Sequence, residues 1–428
     1  DGGLEKMSHT FHGLYSNHLI RGKFKKELRP ILLNNWEATY FDFDEKKILD
    51  LAKEASDLGI ELFVLDDGWF GKRDSDNSSL GDWFVDERKL PSGLNSLAKN
   101  INDMGMKFGL WFEPEMISPD SDLYRSHPDW CIGIPHRRNY QARSQYILDI
   151  TRPEVKQHVI DSVSTILDSA NIEYVKWDYN RAFTDIYSSN LDRDDQKEFP
   201  HRYMLSLYEI LEFLTTKYED VLFESCAGGG ARFDAGMLYY TPQIWTSDNT
   251  DAIERLRIQY GTSLSYPNAS MGCHVSIVPN HQVHRMTPMQ TRGVVAMSGN
   301  FGYELDLLKL DDKDREMVKE QISLYKGIRK TIQYGTLYRL HNYYDSNDVA
   351  WMYVSQDLNQ VVVNCVRQKA MVNPPYYALK LRGLDPDATY CDGEGNRYLG
   401  STLMRIGLVV DGLYEDFSSM QWVLEREV

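Results

Sequence analysis

The stretch LFVLDDGWF, residues 62–70, is a brief apolar run that breaks into two aspartates and a tryptophan. The same texture returns along the chain. The runs Ile31–Asn35, Glu61–Asp66, Phe108–Glu113, Tyr146–Ile150, Tyr174–Asp178, Val221–Ser225 and Ile244–Asp248 are short, nearly continuous in apolar residues and closed by polar ones. Parallel strands buried on both faces have this pattern. An eighth run is Phe301–Leu305, with Ser270–Val275 competing for the place.

Helical spacing fills the gaps between the runs. Asp44–Leu58 carries Ile48, Leu49, Leu51, Ala52 and Ala55 at helical intervals, and Gly59 follows as a stop. Pro153–Ala170 places Val155, Val159, Val163, Ile166 and Leu167 on one face, and Arg202–Tyr218 and Asp311–Ile332 repeat the pattern. Strand and helix alternating over about 300 residues predict an α/β fold, a (β/α)8 TIM barrel over residues 29–334. A doubly wound open sheet is the alternative, weakened because no GxGxxG follows an early strand. Residues 1–28 read as a polar lead-in segment. Beyond residue 335 the texture changes. Val349–Ser355 and Leu358–Cys365 are strand-like, and turn residues recur at Asn373-Pro374, Gly383, Asp385-Pro386, Gly393 and Gly395. That spacing predicts a small antiparallel β-sandwich domain over 335–428.

Composition narrows the partners. The formal net charge is −16, which argues against nucleic acid, anionic membranes and polyanionic substrates. A neutral ligand meets no such barrier. The 27 Tyr and 9 Trp suit surfaces that receive amphipathic ligands such as sugars, although ordinary core packing also uses them. The five cysteines, Cys131, Cys226, Cys273, Cys365 and Cys391, are scattered and form no CxxC pair. A reducing, cytoplasmic setting is the expectation, with neither a disulfide framework nor a zinc site. No apolar run approaches the roughly 20 residues of a membrane helix, and no secretory core opens the chain. The chain begins at Asp1 rather than Met, so a longer parent protein is expected.

In a barrel of this kind, chemistry sits where the strands end. Those ends are heavily polar: Asn34, Asn35, Trp36 and Glu37; Asp66, Asp67 and Trp69; Trp111, Glu113 and Glu115; Asp149; Lys176, Asp178, Asn180 and Arg181; Glu224, Ser225 and Cys226; Asp248 and Asn249. Packing does not require carboxylates at strand ends, and buried ones cost stability unless paired. Asp66 and Asp67 can grip neighbouring hydroxyls, or close a turn, or, less readily without a His pair, hold a divalent metal. Lys176, Asp178 and Asn180 face one way by strand alternation. A cation beside Asp178 keeps it ionised, as a nucleophile requires, while a plain Lys–Asp ion pair is the structural alternative. Asp248 is the candidate partner carboxylate, its pKa raised by aromatic surroundings, and Asp251 is the better helix cap. The ESCAGGG stretch (224–230) lacks the GK[ST] of a phosphate loop, so its glycines point to close approach of a ligand to backbone. Cys226 reads as a contact residue, and His274, His281 and His284 as surface or core residues.

Taken together, the motifs LLNNWEATYFDF (32–43), LDDGWFGKRD (65–74), GLWFEPEM (109–116), QARSQYILDITRPEV (141–155), YVKWDYNR (174–181), FESCAGGGARFD (223–234) and QIWTSDNTDAIERLRIQYG (243–261) closely resemble glycoside hydrolase family 36, the bacterial α-galactosidases. The resemblance runs in order through nearly all of residues 20–335. It implies hydrolysis of terminal α-galactosides such as melibiose and raffinose by a retaining double displacement, without a cofactor. Asp178 would be the nucleophile and Asp248 the general acid/base, with carboxyls about 5–5.5 Å apart. It implies sugar contacts from Trp36, Asp66, Asp67, Trp111, Arg143, Lys176, Asn180, Cys226 and Gly229. Galactosyl transfer, an N-acetylgalactosamine preference and non-catalytic galactoside binding are the alternatives. Family members also carry a large β-sandwich before the barrel, of which 7–20 resembles the exit, and many form a homo-oligomer, a tetramer in relatives.

Overall fold

A computed structural model describes residues 3–373 and 376–427. Eight parallel strands close into a barrel: β1 (Leu32–Asn34), β2 (Leu62–Leu65), β3 (Lys107–Phe112), β4 (Tyr174–Trp177), β5 (Leu222–Ser225), β6 (Gln243–Trp245), β7 (Met271–Ser276) and β8 (Asn300–Glu304). Closure is made by β1, which pairs Leu32 with Leu62 of β2 and with Gly302 of β8. Every barrel strand residue but Lys107 is buried, which explains the continuous apolar runs.

The order of the strands corrects two expectations. Ser270–Val275 and Phe301–Leu305 are not competitors, since β7 and β8 take both places and pair with each other from Asn300↔Gly272 to Glu304↔Ser276. The run at Tyr146–Ile150 is not a barrel strand. Tyr146 and Ile147 pair antiparallel with Met116 and Ile117 in a small sheet on the β3 loop. A buried apolar run of that length looks alike in either setting, so periodicity alone could not separate them.

Helices follow the expected spans. Glu45–Leu58 is capped by the Asp44 side chain, which accepts from the Lys47 N–H at 2.8 Å, and Gly59 ends it in the left-handed conformation at φ 93°. Pro153–Ser169, Phe199–Lys217 and Asp312–Tyr334 bury the faces read from sequence. The lead-in segment is more structured than its polar sequence suggests. Gly3–Leu14 is an α-helix continued by a π-helical turn over Tyr15–Leu19. Tertiary hydrogen bonds hold it: Ser8 Oγ donates to the Leu264 carbonyl (2.7 Å), and the His9 and His12 rings meet the carbonyls of Leu337 (2.8 Å) and Ser263 (2.7 Å).

Past the barrel, an antiparallel sheet orders Thr336–His341, Asp348–Val354, Gln360–Arg367, Ser419–Arg426, Thr389–Cys391 and Arg397–Leu399. A second sheet pairs Tyr377–Leu379 with Leu408–Val410, and the two enclose an apolar core that includes Met352, Val363, Leu379, Tyr390 and Leu424. The Arg367 guanidinium grips Asp348 through two hydrogen bonds of 2.7 and 2.6 Å. The expected turns at Gly383 and Gly395 carry positive φ; that at Asn373-Pro374 falls partly outside the described residues. No described helix is long and apolar enough to cross a membrane.

Candidate active site

The C-terminal ends of the strands surround one open-mouthed cavity. Its walls include Trp36, Asp66, Asp67, Trp111, Arg143, Lys176, Asp178, Asn180 and Asp248, so nine of the eleven residues expected at a sugar site converge there. The other two, Cys226 and Gly229, lie behind that wall.

Asp178 follows β4 directly. Its carboxylate accepts from Trp111 Nε1 at 3.1 Å, Asn180 Nδ2 at 2.7 Å and the Tyr179 N–H at 2.8 Å. Burial works against its charge, but the Lys176 ammonium, the Cys226 thiol and these donors outweigh it and hold the carboxyl below its ordinary pKa. Burial and the adjacent charge of Asp178 push the Cys226 thiol well up, so it stays a neutral donor rather than a nucleophile.

Asp248 stands just past β6. Trp245 Nε1 donates to its carboxylate at 3.1 Å. Burial by the cavity walls and the like charge of Asp178 raise it, against the pull of Lys176. The residue is exposed at the mouth, so the repulsion from Asp178 is the cause the geometry supports best. Its loop is clamped by Arg255, which donates to the carbonyls of Asn249 (2.7 Å) and Ser247 (2.6 Å) and lies 4.4 Å from the Trp245 ring centroid. Gly229, at φ 86°, lies against the same loop. A Cβ there would come within 2.7 Å of the Asp248 nitrogen and the Ser247 Cα, so no side chain fits. Gly229 therefore sets the place of Asp248.

Asp66 and Asp67 are distinct in their partners. Asp66 accepts from Lys176 Nζ (2.9 Å) and Asn34 Nδ2 (2.6 Å). Asp67 is held by a buried fork from Arg73, Nε and Nη2 each at 2.8 Å. Arg143, half-exposed, reaches the cavity from a loop where it and Ser144 both adopt positive φ, 51° and 58°.

Several strand-end residues are framework instead. Glu115 takes Trp177 Nε1 (2.9 Å), the Tyr203 hydroxyl (2.9 Å) and two nitrogens of Arg232. Asp149 ties Thr151 and Ser188 together, away from the cavity. Glu224 points into the barrel, where Gln243 Nε2 meets it at 2.6 Å. Each is a buried carboxylate engaged by structural donors, which sequence cannot tell from a functional one.

The cavity also holds residues that were not anticipated as a set: Trp245, Thr250, Gln282 and Glu304, with His281 and the Glu37 carboxyl. Glu304 ends β8 and is paired with His274 Nδ1 at 3.0 Å, so His274 is a buried support, as a core reading implies. His281 is exposed, as a surface reading implies, and also lines the cavity, with Nδ1 3.4 Å from Glu37 Oε1. It follows β7, whose run Ser270–Val275 competes in sequence with Phe301–Leu305, so no clear strand end marks its loop.

Comparison with known proteins fits this architecture. The profile described as Melibiase matches residues 1–335, and that of the glycosyl hydrolase family 36 C-terminal domain matches 348–424. The chain belongs to glycoside hydrolase family 36. It is 54% identical over 426 residues to alpha-galactosidase AgaA of Geobacillus stearothermophilus, covering 99% of this chain and 58% of that protein. It is 52% identical over 408 residues to alpha-galactosidase Mel36A of Lactobacillus acidophilus, covering 95% and 56%. A solved structure of a variant of the Geobacillus enzyme in complex with raffinose superposes with a TM-score of 0.98 at 53% identity, covering 100% of this chain and 60% of that one. The chain thus spans less than two thirds of the length of these relatives.

Proposed function

We propose that this family 36 chain carries the catalytic barrel of a retaining α-galactosidase acting on terminal α-galactosides of the melibiose and raffinose type. One observation carries the reading: Asp178 and Asp248 stand at strand ends around one cavity with opposite shifts, Asp178 held below its ordinary pKa by Lys176 and its hydrogen-bond donors, and Asp248 raised beside the charge of Asp178. Two carboxyls with divergent pKa values divide into nucleophile and acid. Asp178 attacks the anomeric carbon while Asp248 gives its proton to the departing oxygen. Asp248 then takes a proton from water, which displaces Asp178 and releases galactose with its configuration retained. Asp66, Asp67, Lys176, Asn180 and Arg143 offer the hydroxyl partners, and Trp36 and Trp111 offer flat apolar faces to the ring. Cys226 and Gly229 support from behind. No cofactor takes part.

The relatives named above support the substrate class, and a raffinose complex is known for one of them. Assay against para-nitrophenyl α- and β-galactosides tests the proposal. Release from the α-anomer alone, lost in Asp178→Asn, is the expected result. Tight galactose binding without turnover would point to a non-catalytic binding protein.

A further inference from the structure

Segment 277–287 joins β7 to the helix Met289–Ala296, and its side chains have no part in the sugar grips described above. It is nonetheless a built wall of the cavity. Asn280, 1% exposed, folds it: its Oδ1 accepts from the N–H groups of Gln282 (3.0 Å) and Val283 (3.1 Å), and its Nδ2 donates to Thr250 Oγ1 (3.2 Å). The Arg285 guanidinium anchors the segment to Asp251. From this fixed turn Gln282 Nε2 donates to the Asp248 carbonyl at 2.9 Å. His281 faces the cavity, its Nδ1 3.4 Å from Glu37 Oε1, which already accepts from Thr250 Oγ1 at 2.8 Å.

The placement matters because the grips for the galactosyl ring lie on β2, β3 and β4, whereas Asp248 and this turn follow β6 and β7, across the barrel. The group that receives the proton of Asp248 is the oxygen shared with the leaving sugar. Whatever adjoins Asp248 on the open side therefore adjoins the first ring of the leaving group. We propose that the turn after β7 forms the leaving-group wall of the site, with the His281 ring bonding hydroxyls of the departing sugar and Gln282 holding Asp248 in register with it. An imidazole suits that task, since its neutral form presents one donor and one acceptor to a hydroxyl. This deepens the proposed glycosidase reading and rests on it.

The test compares kcat/KM on melibiose and on para-nitrophenyl α-galactoside in the full-length protein. The aryl leaving group has no ring hydroxyls and needs little protonation. For His281→Ala the melibiose-to-aryl ratio is expected to fall about tenfold, the size of one or two hydrogen bonds lost, with the change in KM on melibiose and partial recovery in His281→Asn. For Gln282→Ala the ratio falls as well, with the change in kcat. Equal losses on both substrates in both variants, or no loss on either, overturn the inference. Asp248→Ala separates the two levels: if it leaves melibiose turnover intact, the glycosidase assignment itself fails, whatever His281 does.

Discussion

Lys176 Nζ lies 2.9 Å from Asp66 Oδ2, and its ion pair is with this acid on β2's end rather than with Asp178 two residues along its own chain. The ammonium acts on Asp178 through space. Sequence offered two readings of Lys176, a cation beside Asp178 or an ion pair with it; the ion pair is made with Asp66 instead, and only the field of the ammonium reaches Asp178. The consequence is measurable. Lys176→Met removes the charge that lowers both Asp178 and Asp248. A nucleophile must be ionised, so activity rises with pH through the pKa of Asp178; an acid must be protonated, so activity falls through that of Asp248. Both limbs of the kcat/KM profile are expected to move to higher pH in the variant. An unmoved acidic limb would contradict the role given to the lysine.

Glu113 gives a stability signature. Its buried carboxyl accepts from the Asn180 N–H (2.5 Å) and Gln145 Nε2 (2.8 Å), and burial followed by the charge of Asp178 pushes it up to about 8 from an ordinary 4.5. The folded state then binds more protons than the unfolded one between those values, so stability falls as pH rises across that window. Glu113→Gln keeps the side-chain acceptor without the titration. Its Tm is expected to decline less between pH 4.5 and 8 than the parent's, and thermal unfolding at a series of pH values reads this directly.

Arg73 and Asp67 form a buried fork behind the cavity wall. Removing one partner leaves a buried charge without compensation, at a cost of about 3–5 kcal/mol. Arg73→Ala is expected to lower the unfolding free energy by that order. Arg73→Lys recovers only part, because an ammonium cannot reproduce the two parallel bonds. Equal stability of Arg73→Lys and the parent would show that charge alone suffices.

Gly229→Ala probes the seat of Asp248. The added methyl meets backbone atoms at 2.7 Å, so the loop of Asp248 must shift. Turnover of melibiose is expected to drop by about 10²-fold, the scale of an ångström-level misplacement, with a smaller drop on an aryl galactoside that needs less protonation. Kinetics on the two substrates, beside a thermal unfolding curve, check this.

Much of this molecule was legible in its sequence. The barrel follows from repeated apolar runs, and Asp251 caps its helix as its sequence position suggests. Nine expected residues do line one cavity because strand ends converge by topology. What stayed hidden depends on three dimensions. Tyr146–Ile150 has the texture of a barrel strand and pairs elsewhere. Glu115, Asp149 and Glu224 look like Asp66 in sequence and differ only in the donors that surround them. The helix Gly3–Leu14 leaves Leu4, Met7 and Leu14 exposed and is held by backbone carbonyls of the barrel rather than by a deep core, so its apolar residues do not announce how it docks. His281 reaches the cavity through a turn whose shape Asn280 sets.

The assignment of the two carboxyls is tested most directly by azide rescue, reading the anomeric configuration of the galactosyl azide formed from an aryl α-galactoside. Asp178→Ala should yield the β-azide, since azide enters from the face the nucleophile vacates. Asp248→Ala should yield the α-azide, since azide displaces the covalent intermediate instead of water. The reverse pairing of variant and product would contradict the roles of Asp178 and Asp248.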